Sequence, residues 1–141
     1  MKDDGFTLLE VITVFSLIGI LMVVSMPRIS ANFRYMDKIA EGFLGDARFI
    51  QMEAMKGSSG KYQIAVNSGT GRYYLKNNTV IIKTVSVKER YKIKYTGTGE
   101  LYFNADGTPV HPGTFTITDT KTREEKSVTV VPATGRTIIK E

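Results

Sequence analysis

The residue with the clearest chemical consequence is a single carboxylate, Glu10, placed at the start of an apolar run that continues almost unbroken to Met26. An acidic side chain near the middle of a membrane-spanning helix costs about 2.5–3.5 kcal/mol, and less towards the edge, so Glu10 must be paired or lie close to headgroup level. Cleavage between Gly5 and Phe6 would supply a partner, because the new Phe6 ammonium would stand about one helical turn away, on the same helix or on a neighbouring subunit's. A second group of residues is basic. Arg90, Lys92 and Lys94 alternate along one short stretch, with Lys83 and Lys88 just before it and Arg136 and Lys140 at the end of the chain. Such a set could hold phosphates, and a solvated strand face is the competing reading.

Little else in the sequence can do chemistry. The sole histidine, His111, lies between Pro109 and Pro112 in an expected surface loop, with no evident carboxylate or serine partner. Asp106 precedes Gly107 and reads as a turn, since one such residue falls short of the six or more oxygens a calcium ion takes. There is no glycine-rich phosphate loop, paired acid set or metal-ligand spacing. The chain is therefore expected not to be an enzyme and to need no cofactor or metal.

Its 141 residues leave room for one small domain after the N-terminal segment. Cysteine is absent, so packing alone must hold the fold in an exported setting. The formal charge is +5, and removal of residues 1–5 would take away one lysine and two aspartates and leave +6. That moderate excess suits nucleic acid, anionic headgroups or acidic wall polymers without choosing among them.

Residues 8–26 are long enough, at about 1.5 Å per residue, to cross a hydrocarbon layer of about 30 Å. Thr13 and Ser16 are expected to bond back to the preceding turn, while Gly19 and Pro27 are points where the helix could bend. Beyond Pro27 the pattern becomes amphipathic. Ile29, Phe33, Met36, Ala40, Phe43, Ala47, Ile50 and Ala54 recur at alternating intervals of four and three, with Arg34, Asp37, Lys38, Glu41, Arg48 and Glu53 on the other face. A coiled-coil segment competes with packing onto a sheet, although the small stripe residues suit a sheet well. Gly57–Ser58–Ser59–Gly60 should end the helix, which, if continuous from Phe6, would be about 75 Å long. Its first half would then project from the head.

The remainder reads as strands at Tyr62–Val66, Tyr73–Leu75, Thr79–Thr84, Arg90–Tyr95, Leu101–Phe103, Phe115–Ile117, Ser127–Val131 and Thr137–Lys140. Tyr91, Ile93 and Tyr95 are expected on one face of the fourth strand and Arg90, Lys92 and Lys94 on the other. The fold class that follows is α+β, a long N-terminal helix whose second half packs against a mostly antiparallel sheet.

The order of Gly5, Phe6, Glu10 and the apolar run resembles the cleavage and assembly motif of type IV prepilins. The distal order Phe103–Asn104, Asp106–Gly107, Pro109, Gly113, Val128–Val131 and Gly135–Arg136 is similar to minor pseudopilins of the GspH/FimT type, in layout close to the D-type competence pseudopilin of Gram-positive bacteria. The resemblance implies a pilin-like lollipop with a leader at 1–5, a transmembrane and assembly segment at 6–27 and a head at 28–141. It also implies a minor pilin or pseudopilin of a competence, type IV pilus or type II secretion filament. Gly5–Phe6 would be the site of prepilin peptidase cleavage, Phe6 the site of N-methylation, and Glu10 with Phe6 the assembly pair. The partners implied are other pilins or pseudopilins, the peptidase and membrane lipid. The location implied is a single pass through the cell membrane with the head outside the cytoplasm, then the cell surface or periplasm after assembly.

Two other readings stay open at this level. An ordinary signal peptide would be removed whole, with Val23–Val24–Ser25 as its cleavage site, and a plain one-pass anchor would keep Met1. In a third reading the head is a DNA receptor using Arg90, Lys92, Lys94, Arg136 and Lys140. Against that, DNA-binding relatives carry further basic residues beside the Gly–Arg pair, whereas Thr137, Ile138 and Ile139 follow Arg136.

Overall fold

A computed structural model describes residues 7–25 and 31–140. The chain divides into two compact units, Met1–Ser30 and Ala31–Glu141. In the first, helix α1 spans Leu8–Ser25. Thr7 caps it: its Oγ1 accepts the N–H of Glu10 at 3.3 Å. The hydroxyls of Thr13 and Ser16 donate to the carbonyls of Leu9 and Ile12, each at 2.8 Å, so polar residues are absorbed without breaking the helix. Gly19 does not interrupt it either. Pro27 and Ile29, the side chain of Phe33 and the continuity of one helix across residues 26–30 lie outside the described residues.

In the second unit, α2 spans Ala31–Glu53 and closes in a wide π-type turn over Ala54–Ser58, where Gly57 takes φ +101°. Nine strands follow among the described residues: β1 Tyr62–Asn67, β2 Arg72–Asn77, β3 Val80–Ser86, β4 Tyr91–Tyr95, β5 Tyr102–Phe103, β6 Pro109–Val110, β7 Thr114–Asp119, β8 Glu125–Val130 and β9 Thr137–Lys140. All pairings are antiparallel. The mostly antiparallel strands expected from the sequence form a three-stranded sheet β1-β2-β3, a four-stranded sheet β4-β7-β8-β9 and the ribbon β5-β6. Short turns make this possible: Asn67 Oδ1 accepts the N–H of Thr70 between β1 and β2, and Asn78 adopts φ +52° between β2 and β3.

The apolar stripe running along α2 and into its closing turn supplies one side of the core. Met36, Ala40, Phe43, Ala47, Ile50 and Ala54 are all buried, and α2 packs on β1, β5, β7, β8 and β9. Phe43 stacks on Phe115 at 4.2 Å between ring centroids and meets Tyr73 edge-on at 5.6 Å. Ile117, Val128 and Val130 complete this layer from the four-stranded sheet, and Ile64, Leu75, Leu101 and Phe103 from the other strands.

Charged pairs fasten the layers. Asp46 of α2, 8% exposed, accepts Lys83 Nζ on both oxygens, at 2.7 and 2.8 Å, and the Tyr73 hydroxyl at 2.9 Å. Burial first, and then the Asp46 charge, pushes the Tyr73 phenol well above its ordinary range. Lys126, on the core side of β8, pairs with Asp37 of α2. Asp119, fully buried at the end of β7, holds Arg90 through two contacts, Nε at 2.9 Å and an amino nitrogen at 2.7 Å.

Candidate assembly site and basic surface

Helix α1 shows what the N-terminal motif does locally. Thr7 stands at the N-cap and Glu10 at the third helical position, the spacing of a capping box, and the carboxylate also lies at the positive end of the helix dipole. This local role was not read from the sequence, although Thr7-x-x-Glu10 before an apolar run is its signal. Glu10 borders a shallow cavity of about 240 Å³ with Val11, Val14 and Phe15. Gly5 and Phe6 lie outside the described residues.

Every large apolar side chain from Leu8 to Val23 is exposed, from 39% at Val11 to 78% at Leu8 and Leu9. A helix that is apolar on all sides needs cover from lipid or from other helices. Among the described residues, no helix is long and apolar enough to cross a membrane. The 18 residues of α1 measure about 27 Å, slightly under a hydrocarbon core of about 30 Å.

The basic residues do not form one surface. Lys92 and Lys94 stand exposed on the outer face of β4, as expected. Arg90 does not join them: it precedes the strand and its guanidinium is committed to buried Asp119. Lys83 is turned to Asp46, and Lys88 lies over the Tyr35 ring at 5.0 Å. Lys140 lies on β9, at the opposite edge of the sheet from β4, and Arg136 is exposed in the turn before β9. The Arg90–Asp119 pair was legible in principle, because period two places Asp119 inward with Phe115 and Ile117, where a carboxylate needs a cation. Lys126, in step with Val128 and Val130, follows the same logic.

The distal motif is architectural. Gln51 Nε2 donates to the Gly107 carbonyl at 2.9 Å, drawing that loop onto the end of α2. Gly135, at φ +63°, packs so closely that an added Cβ would stand 2.4 Å from the Gly107 oxygen and 3.0 Å from the Phe103 ring. Phe103, Gly107 and Gly135 thus converge on one point. Asp106 accepts the backbone N–H and hydroxyl of Thr108 at 3.0 and 2.7 Å, the expected turn, and those bonds, the hydroxyl's first, hold its carboxyl below the usual range. His111 is exposed at φ +56°, with Nδ1 3.0 Å from the Thr98 hydroxyl. No cluster of three potential metal ligands occurs among the described residues.

Residues 1–26 match the prokaryotic N-terminal methylation motif. The fold is that of a minor pseudopilin: the chain resembles EpsH from the type 2 secretion system of Vibrio cholerae with a TM-score of 0.60, over 74% of this chain and 95% of that one, at 15% identity. No curated protein sequence matches the chain. The chain thus carries a prepilin-type N-terminal methylation motif and an α+β fold similar to that of a minor pseudopilin.

Proposed function

We propose that the chain is a minor pseudopilin, a structural subunit of a type II secretion or type IV pilus-like filament. Prepilin peptidase cuts between Gly5 and Phe6 and the new Phe6 amine is methylated. The segment 6–27 is held in the cytoplasmic membrane before assembly, with the head of residues 28–141 outside the cytoplasm. The observation that carries this reading is the unbroken exposure of apolar side chains around α1, which lies within the matched methylation motif. Such a helix leaves lipid only if other subunits' helices replace the lipid around it.

Glu10 sets the register in this scheme. A carboxylate carried into a helix bundle is costly unless it meets a cation, and a neighbour's Phe6 ammonium is the cation the motif supplies. Glu10→Gln separates this role from capping, because glutamine can serve a capping box but carries no charge. The variant is expected to be cleaved and to fold, with the mature chain starting at Phe6, but to be missing from sheared filaments. Normal incorporation of Glu10→Gln would refute the pairing, and a mature terminus at Met26 or Met1 would refute the whole reading.

The DNA-receptor alternative draws less support, since Arg90 and Lys83 are engaged internally and Lys140 stands across the sheet from Lys92 and Lys94. Its test is DNA affinity of the protein at two salt concentrations, where a phosphate-driven site must weaken steeply.

A further inference from the structure

The outer face of the four-stranded sheet carries a row of side chains that crosses it from edge to edge. Lys94 of β4 lies opposite Thr116 of β7, Thr116 opposite Ser127 of β8, and Ser127 opposite Lys140 of β9. Their neighbours along the strands, Ile93, Phe115, Ile117 and Val128, are buried on the side that α2 covers, so alternation turns the row to solvent. Three strand spacings of about 4.8 Å separate its ends, which sets the two lysines about 14 Å apart with two hydroxyls between them.

The groups of this row are unengaged, unlike those beside it. In the row on one side the Thr118 hydroxyl donates to Glu125 Oε1 at 3.1 Å, and in the row on the other the Thr114 and Thr129 hydroxyls bond to each other at 3.0 Å. Among the described residues, the side chains of Lys94, Thr116, Ser127 and Lys140 have no hydrogen-bond or ion-pair partner. Lys56, Lys76, Lys83 and Lys126, by contrast, are each paired with a carboxylate. The charge on this face is also one-sided. Lys92 adds a third cation opposite Thr118, and Glu125, the one acid on the face among the described residues, already accepts from Thr118.

We propose that this row binds an anionic polyol chain, a polymer in which phosphates are joined by hydroxylated carbon units. The lysines at its two ends hold phosphates as point charges, and the hydroxyls between them, which both donate and accept, suit the hydroxyls and phosphate oxygens of the chain. A nucleic acid fits less well, because no aromatic side chain stands among the outward residues of the four strands to stack on a base. An acidic peptide also fits less well: extended peptides bind a sheet by adding to its edge, and this row crosses a face that offers side chains alone. The proposal does not depend on the assembly role of α1.

The test titrates fluorescein-labelled poly(glycerol phosphate) with the full-length protein in neutral detergent micelles and follows anisotropy, using variants whose urea midpoint matches that of the parent. Binding is expected, and Lys94→Glu combined with Lys140→Glu should weaken it by about tenfold or more. Lys38→Glu combined with Lys61→Glu, the same charge change at exposed positions outside this sheet, should weaken it by less than about twofold. Thr116→Val combined with Ser127→Ala leaves every charge in place and should weaken the polyol chain by about fivefold, with inorganic polyphosphate unaffected. No binding, equal loss in the two lysine pairs, an unaffected hydroxyl variant, or equal loss of polyphosphate in it would each overturn the proposal, as would tighter binding of a labelled DNA single strand or of polyglutamate.

Discussion

Asp119 shows how one side chain can be both a liability and a fastening. It lies opposite Tyr91 on the inner face, with no exposure. Its hydrogen bond from Arg90, supported by the N–H groups of Lys121 and Thr122, holds its carboxyl down to about 2. A carboxyl whose folded value lies below its ordinary value near 3.8 stabilises the fold fully above that ordinary value, and the contribution is lost as pH falls through the folded one. The midpoint of urea unfolding should therefore drop between about pH 4 and pH 2. Asp119→Asn should lower it at pH 7 and flatten this decline, because the charged partner of Arg90 is gone at every pH. An unchanged acid limb in Asp119→Asn would show that other carboxylates govern it.

At the scale of elements, α2 is the organiser, and glycines set how close its neighbours come. Gly135→Ala places a methyl group against the Gly107 carbonyl and Gln51 at positive φ, so a loss of about 1–3 kcal/mol is expected in denaturant unfolding. Gly45, in the middle of α2 and facing open space, is the contrast: Gly45→Ala should raise stability by about 0.5–1 kcal/mol in the isolated protein. Phe43→Ala removes the ring that stacks on Phe115 and meets Tyr73, and should cost about 3–5 kcal/mol. The stripe that predicts these roles was readable from spacing alone. Asp46, three residues after Phe43 on the same face, was not read as buried, because its burial depends on Lys83 and Tyr73 arriving from strands that local sequence does not place.

For the whole molecule, the division into an apolar helix and a self-sufficient head has a direct consequence. Among the described residues, the buried hydrophobic core of the second unit draws on residues 36–130. A chain starting at Ala31 should unfold cooperatively and stay in the aqueous phase of a detergent phase separation, while the chain carrying α1 should enter the detergent phase. Recovery of both in the aqueous phase would show that the exposed face of α1 is not what drives partition.

Periodicity and composition determined much of this protein. An apolar segment with one acid, an amphipathic helix, strands of period two and turns rich in asparagine and glycine are local properties, set by side-chain spacing and backbone preference. The convergence of Phe103, Gly107 and Gly135 could be marked as a pattern but not explained. Its cause is a contact among residues far apart in the chain. Only the tertiary structure divided the strands among separate sheets and turned Arg90 away from Lys92 and Lys94. Those outcomes depend on which strand lies beside which, and on where buried carboxylates find their cations, both of which are settled when distant segments compete for the same core.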